Sequence, residues 1–337
     1  MPSKSVFFYR FPITSDRIGL ENAGGVCLAR HDIVKAYIDE ASAEAVLFTR
    51  NSNIQWFFEG EVDPRVDIST ELAAFWLLVT SSMVIALCPR YDVDRIRDEV
   101  LPKDVEIMGF DGFSNSVESV GSICSKFSKV AVDSDLFFSS SNYVPIGKSF
   151  YEKTQLLSER EILRLRVTGK LTENIICEFA PELQPGMTEL EVEKVLRAIF
   201  IESGLEVPTL CIASDERISK SPYPVSTAKK ISRYLMLRAT IRKQGLSVSL
   251  SRYFHFGAVP QELEQGHERA SGIAAKGAVA IMRAKTMSEV FEEIKNAYAS
   301  LNAADEVAYY SPGGTTGYTQ NTFLFAPDSQ ITMKHPA

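Results

Sequence analysis

Histidine and cysteine are scarce in this chain of 337 residues, and neither is clustered. The five cysteines, Cys27, Cys88, Cys124, Cys177 and Cys211, are odd in number, widely spaced and free of any CxxC pair. That pattern excludes a disulfide framework and a zinc knuckle. It points to a reducing, cytoplasmic setting in which the thiols act as small buried hydrophobes. No run reaches the ~18 apolar residues of a membrane span. The longest apolar window, 73–88, is broken by Thr80, Ser81 and Ser82. The opening residues Met1-Pro2-Ser3-Lys4-Ser5 lack an apolar stretch of signal-peptide length. Positive charge is not in excess either. The net charge is −7, and Lys and Arg read as interspersed with Asp and Glu, which argues against a nucleic-acid partner. There is no Gly-x-Ser-x-Gly elbow, so a serine hydrolase of that type is excluded. Repeats and low-complexity tracts are absent.

What is present is an ordinary globular composition, 45% apolar and 23% charged, on a chain long enough for two domains with a core each. The first half alternates helix and strand. The apolar spacing predicts helices over 31–42, 94–100 and 114–127, and strands over 45–49, 53–58, 75–80, 83–88, 105–109 and 129–133, a compact α/β arrangement. The most loop-like point is Ser139-Ser140-Ser141-Asn142. It places a boundary near 145–155 and gives domains of 1–150 and 151–337.

The second half opens on a long helix with a capping-box pattern at Ser158 and Glu161, closed by Pro181. A turn at Gln184-Pro185-Gly186-Met187 leads to a second capping box, Thr188 and Glu191, and a helix closed by Gly204. Two β-like runs, 234–240 and 246–256, flank Arg242-Lys243-Gln244-Gly245, which reads as a hairpin turn. Helices follow from about 261 and over 287–301. A Gly-rich turn, Pro312-Gly313-Gly314-Thr315-Thr316-Gly317, then precedes a strand-like run at 322–326.

The order of these elements resembles the pita-bread fold of the creatinase, aminopeptidase P and prolidase family along nearly the whole chain. The residues that carry the resemblance are 45–60, with its Asn53-Ile54, aromatics and Gly60; Glu161–Ile176 followed by Pro185-Gly186-Met187-Thr188-Glu189; the hairpin ending Ser251-Arg252-Tyr253-Phe254-His255-Phe256-Gly257; and the Gly313–Tyr318 segment. The resemblance implies a small N-terminal α/β domain followed by a pita-bread domain. It also implies that the C-terminal strands of the latter, which would carry two glutamate ligands, are missing here. On that expectation the chain is either a truncated form of a longer protein or is covered at the exposed sheet edge, by a second copy in a homodimer.

Metal-dependent members of the family hold two divalent ions with two Asp, one His and two Glu. Taking Arg252 as the family's arginine, the two Asp positions fall on Arg238 and Ser249, and 235–250 contains no Asp or Glu at all. A permanent cation at such a position repels a dication, and a serine hydroxyl is a weak neutral ligand. The metal histidine falls on Thr315 or Thr316, and the histidine that precedes the hairpin falls on Ser221. The resemblance therefore implies no metal and no other cofactor.

The four histidines divide by place. His31 opens a helix, His267 lies on a polar helix among Glu262, Glu264 and Glu268, and His335 is near the end. Only His255 stands on the hairpin, as a strand residue or as a general base. Arg238, Ser249, Ser221, Tyr223, Thr315, Thr316 and Tyr318 occupy or flank the family's site positions, and an arginine among hydroxyls suits a small carboxylate-bearing ligand. Two readings compete. One is a metal-free binding or structural protein. The other is a metal-independent enzyme for C–N bond chemistry on an amino-acid-like or guanidino-like substrate, with Arg238 as carboxylate anchor. A conventional Xaa-Pro metallopeptidase fits least.

Overall fold

The computed structural model describes residues 23–112, 115–138, 141–309, 311–320 and 322–335, with backbone alone for 23–28. Residues 1–5, and Ser139 and Ser140 of the loop at 139–142, lie outside them. The chain divides into two compact units. One contains Thr168–Lys243 and Ser249–Gly257; the other contains the described residues of 23–167, 244–248 and 258–335.

In the larger unit a six-stranded sheet has the order β4-β3-β2-β1-β5-β6. Its strands are β1 (Ala45–Arg50), β2 (Leu72–Thr80), β3 (Val84–Pro89), β4 (Glu106–Phe110), β5 (Val130–Val132) and β6 (Tyr143–Pro145). β1 pairs antiparallel with β2, Ala45 facing Thr80, and parallel with β5, Val46 facing Ala131. The central strands are apolar on both sides, as a sheet covered on two faces demands. Val46, Phe48, Leu77, Val79, Ala86 and Ala131 pack against Val34, Tyr37 and Ile38 of α1 (Ala23–Ala41) and Ile54 and Phe57 of α2 (Asn51–Phe57). Leu47, Trp76, Leu78, Leu87 and Val132 pack on the opposite side with Phe137, Tyr143 and the side chains Val120 and Cys124. Those two belong to α4 (Ser116–Cys124), which follows the single turn α3 (Val93–Arg95). α5 (Lys148–Lys153) adds Phe150 to the first layer.

α6 (Glu159–Phe179) and α7 (Glu189–Glu202) begin where the sequence places them, and both capping boxes form. A three-stranded sheet has the order β7-β8-β9, made of β7 (Glu206–Ser214), β8 (Tyr234–Lys243) and β9 (Leu246–His255), and all of it but the first three residues of β9 lies in the smaller unit. α7 packs on β7 and buries Val192, Leu196 and Phe200 completely. Leu235, Leu237, Ala239 and Ile241 of β8 are fully buried on one face, which leaves the alternate residues Tyr234, Met236, Arg238, Thr240 and Arg242 on the other. Back in the larger unit, α8 (Gln261–Ile281) and α9 (Met287–Ser300) pair over a cluster of Ala280, Met287, Val290, Ile294, Phe325 and Ile331.

The helix α1 begins eight residues before the expected 31, β6 and α5 fall where only a loop and a boundary were expected, and three further elements differ. Residues 53–58 belong mostly to the helix α2 and not to a strand. Asp133 accepts from Thr49 N, Thr49 Oγ1, Arg50 N and Asn53 Nδ2 at 2.7–3.1 Å and so turns the chain at the end of β1. β7 was not anticipated, because Pro208 removes a ladder donor. It survives as an edge strand with its register shifted between Glu206 and Thr209. The run at 322–326 forms no strand, only a single bridge between Gly314 and Leu324.

Candidate functional site

The β8–β9 connection contains two residues, Gln244 and Gly245, at φ 47° and 79°. Both are left-handed, as a two-residue hairpin with the right twist requires. Gly245 has a second reason to be glycine. A Cβ there would stand 2.7 Å from the ring of Tyr318. This turn sets Thr240 opposite Ser249, and their hydroxyls bond at 2.9 Å. By the same register Arg238 faces Ser251 and Tyr234 faces His255.

Arg238 lies flat over the ring of Tyr223, its guanidinium carbon 4.2 Å from the ring centre. It donates to Pro222 O at 3.3 Å and to the Tyr223 hydroxyl at 3.2 Å. Tyr223 N donates in turn to Ser221 Oγ at 3.1 Å, which fixes the short loop that carries the ring. No carboxylate pairs with Arg238 among the described residues. Its neighbour across the ladder is Cys211. Burial pushes that thiol up, and the guanidinium opposes the shift only in part.

His255 stands elsewhere on this face. Its ring centre is 6.1 Å from that of Tyr234, and Nδ1 contacts Gly257 O at 3.3 Å. It is opposite Tyr234, four residues along β8 from Arg238, or about 13 Å at the strand rise. The hairpin thus brings Arg238, Tyr223 and Ser221 together and pairs Ser249 with Thr240, but it does not bring His255 to the arginine.

The Gly-rich turn is described with the larger unit. Thr315 N donates to Phe323 O at 2.9 Å, and Phe323 N donates to Thr315 Oγ1 at 3.3 Å. Thr316 Oγ1 donates to Ser247 O at 3.2 Å, and Ser247 N to Gly317 O at 3.0 Å. Tyr318 donates to Glu161 Oε1 at 2.8 Å. Burial, reinforced by the Glu161 charge, drives its phenol strongly upward. These groups tie the turn to the hairpin tip and to α6.

Glu161 is the centre of a buried charge network that the sequence reading missed. It is fully buried, it caps its own helix through Ser158 N at 2.6 Å, and it accepts from Arg30 at 2.6 Å. Arg30 stacks over Trp56 and lies 3.6 Å from Glu59. Arg164 bonds Glu59 O and Glu61, which Arg160 also approaches at 3.4 Å. The capping-box pattern named Glu161 but gave no hint of Arg30, 131 residues away. The smaller unit has its own hub. Glu189, also fully buried, accepts from Ser214 N and Oγ, Thr227 N and Oγ1, and Arg217. Both hubs are saturated with donors and therefore structural. Among the described residues no three His, Cys, Asp or Glu side chains converge as a metal site would require, and no helix is long and apolar enough to cross a membrane.

No family model matches the sequence, and no curated protein matches it. Solved structures do match. The dipeptidase PepE from Mycobacterium ulcerans superposes with a TM-score of 0.76 at 14% identity, over 92% of this chain and 86% of that one. The prolidase from Pyrococcus horikoshii OT3 gives 0.72 at 16%, over 91% and 87%. The N-terminal domain of the FACT complex subunit SPT16 from chickpea gives 0.68 at 11%, over 92% and 86%. The chain therefore has the pita-bread fold of the prolidases and aminopeptidases.

Proposed function

We propose that this chain is a binding module built on the prolidase fold and not a metallopeptidase. Arg238 carries the reading. At a hairpin position where the resemblance calls for a metal-binding carboxylate, the chain has a guanidinium held flat on Tyr223. The other position has Ser249, bonded to Thr240. Divalent ions of this kind need anionic oxygens or imidazole, and a fixed cation in their place repels them. A domain of a complex subunit, SPT16, has the same fold, which supports assembly as one use of it. The separation of His255 from Arg238 weighs against a single small-substrate site that uses both.

The test is hydrolysis of Xaa-Pro dipeptides by the purified chain with Mn2+, Co2+ or Zn2+ supplied. The expected result is no turnover above a heat-denatured control. Turnover that tracks the protein through purification and stops on chelation would contradict the proposal.

A further inference from the structure

We infer that the hairpin unit docks an acidic polypeptide segment of a partner protein, with the Arg238–Tyr223 stack as its anchor. This rests on the binding-module reading and names the partner's chemistry. The starting observation is a stretch of 45 residues, 217–261, that contains nine Lys and Arg and no Asp or Glu. The whole chain carries −7 and this stretch +9, so the remainder carries −16. The interspersed charge expected from the sequence does not hold over this stretch.

Four of the nine cations are committed. Arg217 serves the buried Glu189, Lys229 pairs with Asp215 and Glu216, Arg242 with Glu206, and Arg252 with Glu173. Lys220 meets only the charge of the exposed Glu216, and no ion pair joins Lys230, Arg233, Arg238 or Lys243 to a carboxylate among the described residues. Lys220, Lys230 and Arg233 are exposed. Tyr223, the ring under Arg238, is 56% exposed, and Val225 beside it 79%. An exposed aromatic bearing a flat guanidinium is a geometry that takes a carboxylate in a bidentate manner and packs an aliphatic stem against the ring.

The spacing selects a polypeptide. Arg233 precedes Arg238 by five residues, about 17 Å at the strand rise, and the odd step turns it to the other face, so only a ligand that passes round the start of β8 meets both. Lys220 is three residues before Tyr223. One small carboxylate cannot engage cations so far apart, whereas an extended segment with several acidic side chains can. A long nucleic acid is disfavoured by the net charge of −7 on the chain as a whole.

The experiment is calorimetric titration of the full chain with an oligo-glutamate peptide at low salt, and with an oligothymidylate of matched charge. The peptide is expected to bind, with affinity falling as salt rises. Arg238→Gln should weaken binding about tenfold or more, and Arg238→Lys, which keeps the charge and loses the fork, should recover only part of it. The exposed double variant Lys220→Ser/Arg233→Ser, which leaves the folded core untouched, should weaken binding and flatten its salt dependence. Four results would overturn the inference: no peptide binding at low salt; equal affinity in all variants; tighter binding of oligothymidylate; or salt-dependent self-association lost in Arg238→Gln, which would make the occupant a second copy. Failure of the peptide alone leaves the binding-module reading standing, because that reading falls only to metal-dependent hydrolysis.

Discussion

Glu161 shows how one side chain can hold several parts of a unit. It caps α6, neutralises Arg30 and receives Tyr318. Glu161→Gln leaves Arg30, 4% exposed, without its closest carboxylate. The expected cost is about 3–5 kcal/mol in urea denaturation. Tyr318→Phe removes only one neutral donor and should cost roughly 1–3 kcal/mol. Asp215 gives a pH signature. Burial would raise its pKa, but N–H bonds from Arg233, Ser232 and Tyr234 and the nearby Lys229 more than offset this, so the folded value lies below the ordinary 3.8. Its stabilising contribution is therefore complete above about pH 4. It is lost as pH falls through the depressed folded value. Asp215→Asn should be less stable than the parent at neutral pH, and the two stability curves should converge in acid.

At the level of elements, what was legible in the sequence was what local chemistry decides. The capping boxes Ser158/Glu161 and Thr188/Glu191 and the Gln244-Gly245 turn are signals within a few residues, and each forms. α2 was misread because a short apolar run suits helix and strand alike, and the deciding group, Asp133, is 84 residues from Thr49. β7 was hidden by Pro208, which the sheet tolerates at an edge. The turn also offers a direct test. Gln244 holds φ 47° without the side chain best suited to it. Gln244→Asn should stabilise by a few tenths to about 1 kcal/mol, because asparagine enters that region more readily. Gly245→Ala should destabilise by more than about 1 kcal/mol, since it adds backbone strain to the close approach of Tyr318. Equal midpoints for the three proteins in chemical denaturation would contradict this account of the turn.

For the molecule as a whole, fold and chemistry separate. The fold is that of peptidases with which the chain shares 14–16% identity, and it was legible from the order of helices, turns and hairpin. The candidate site was legible in part. Arg238, Tyr223 and Ser221 come together, because neighbouring loop and strand positions impose it. The charge segregation over 217–261 was missed because it is a property of a region and not of a motif. The central proposal is that the hairpin, with a guanidinium and hydroxyls where the resemblance places carboxylates, does not hold divalent ions. The most direct measurement is elemental analysis of the purified chain after equilibration with excess Mn2+, Co2+ or Zn2+ and removal of free ion. The account predicts metal well below one ion per chain, unchanged in Arg238→Gln. Two ions per chain, retained through dialysis, would contradict it.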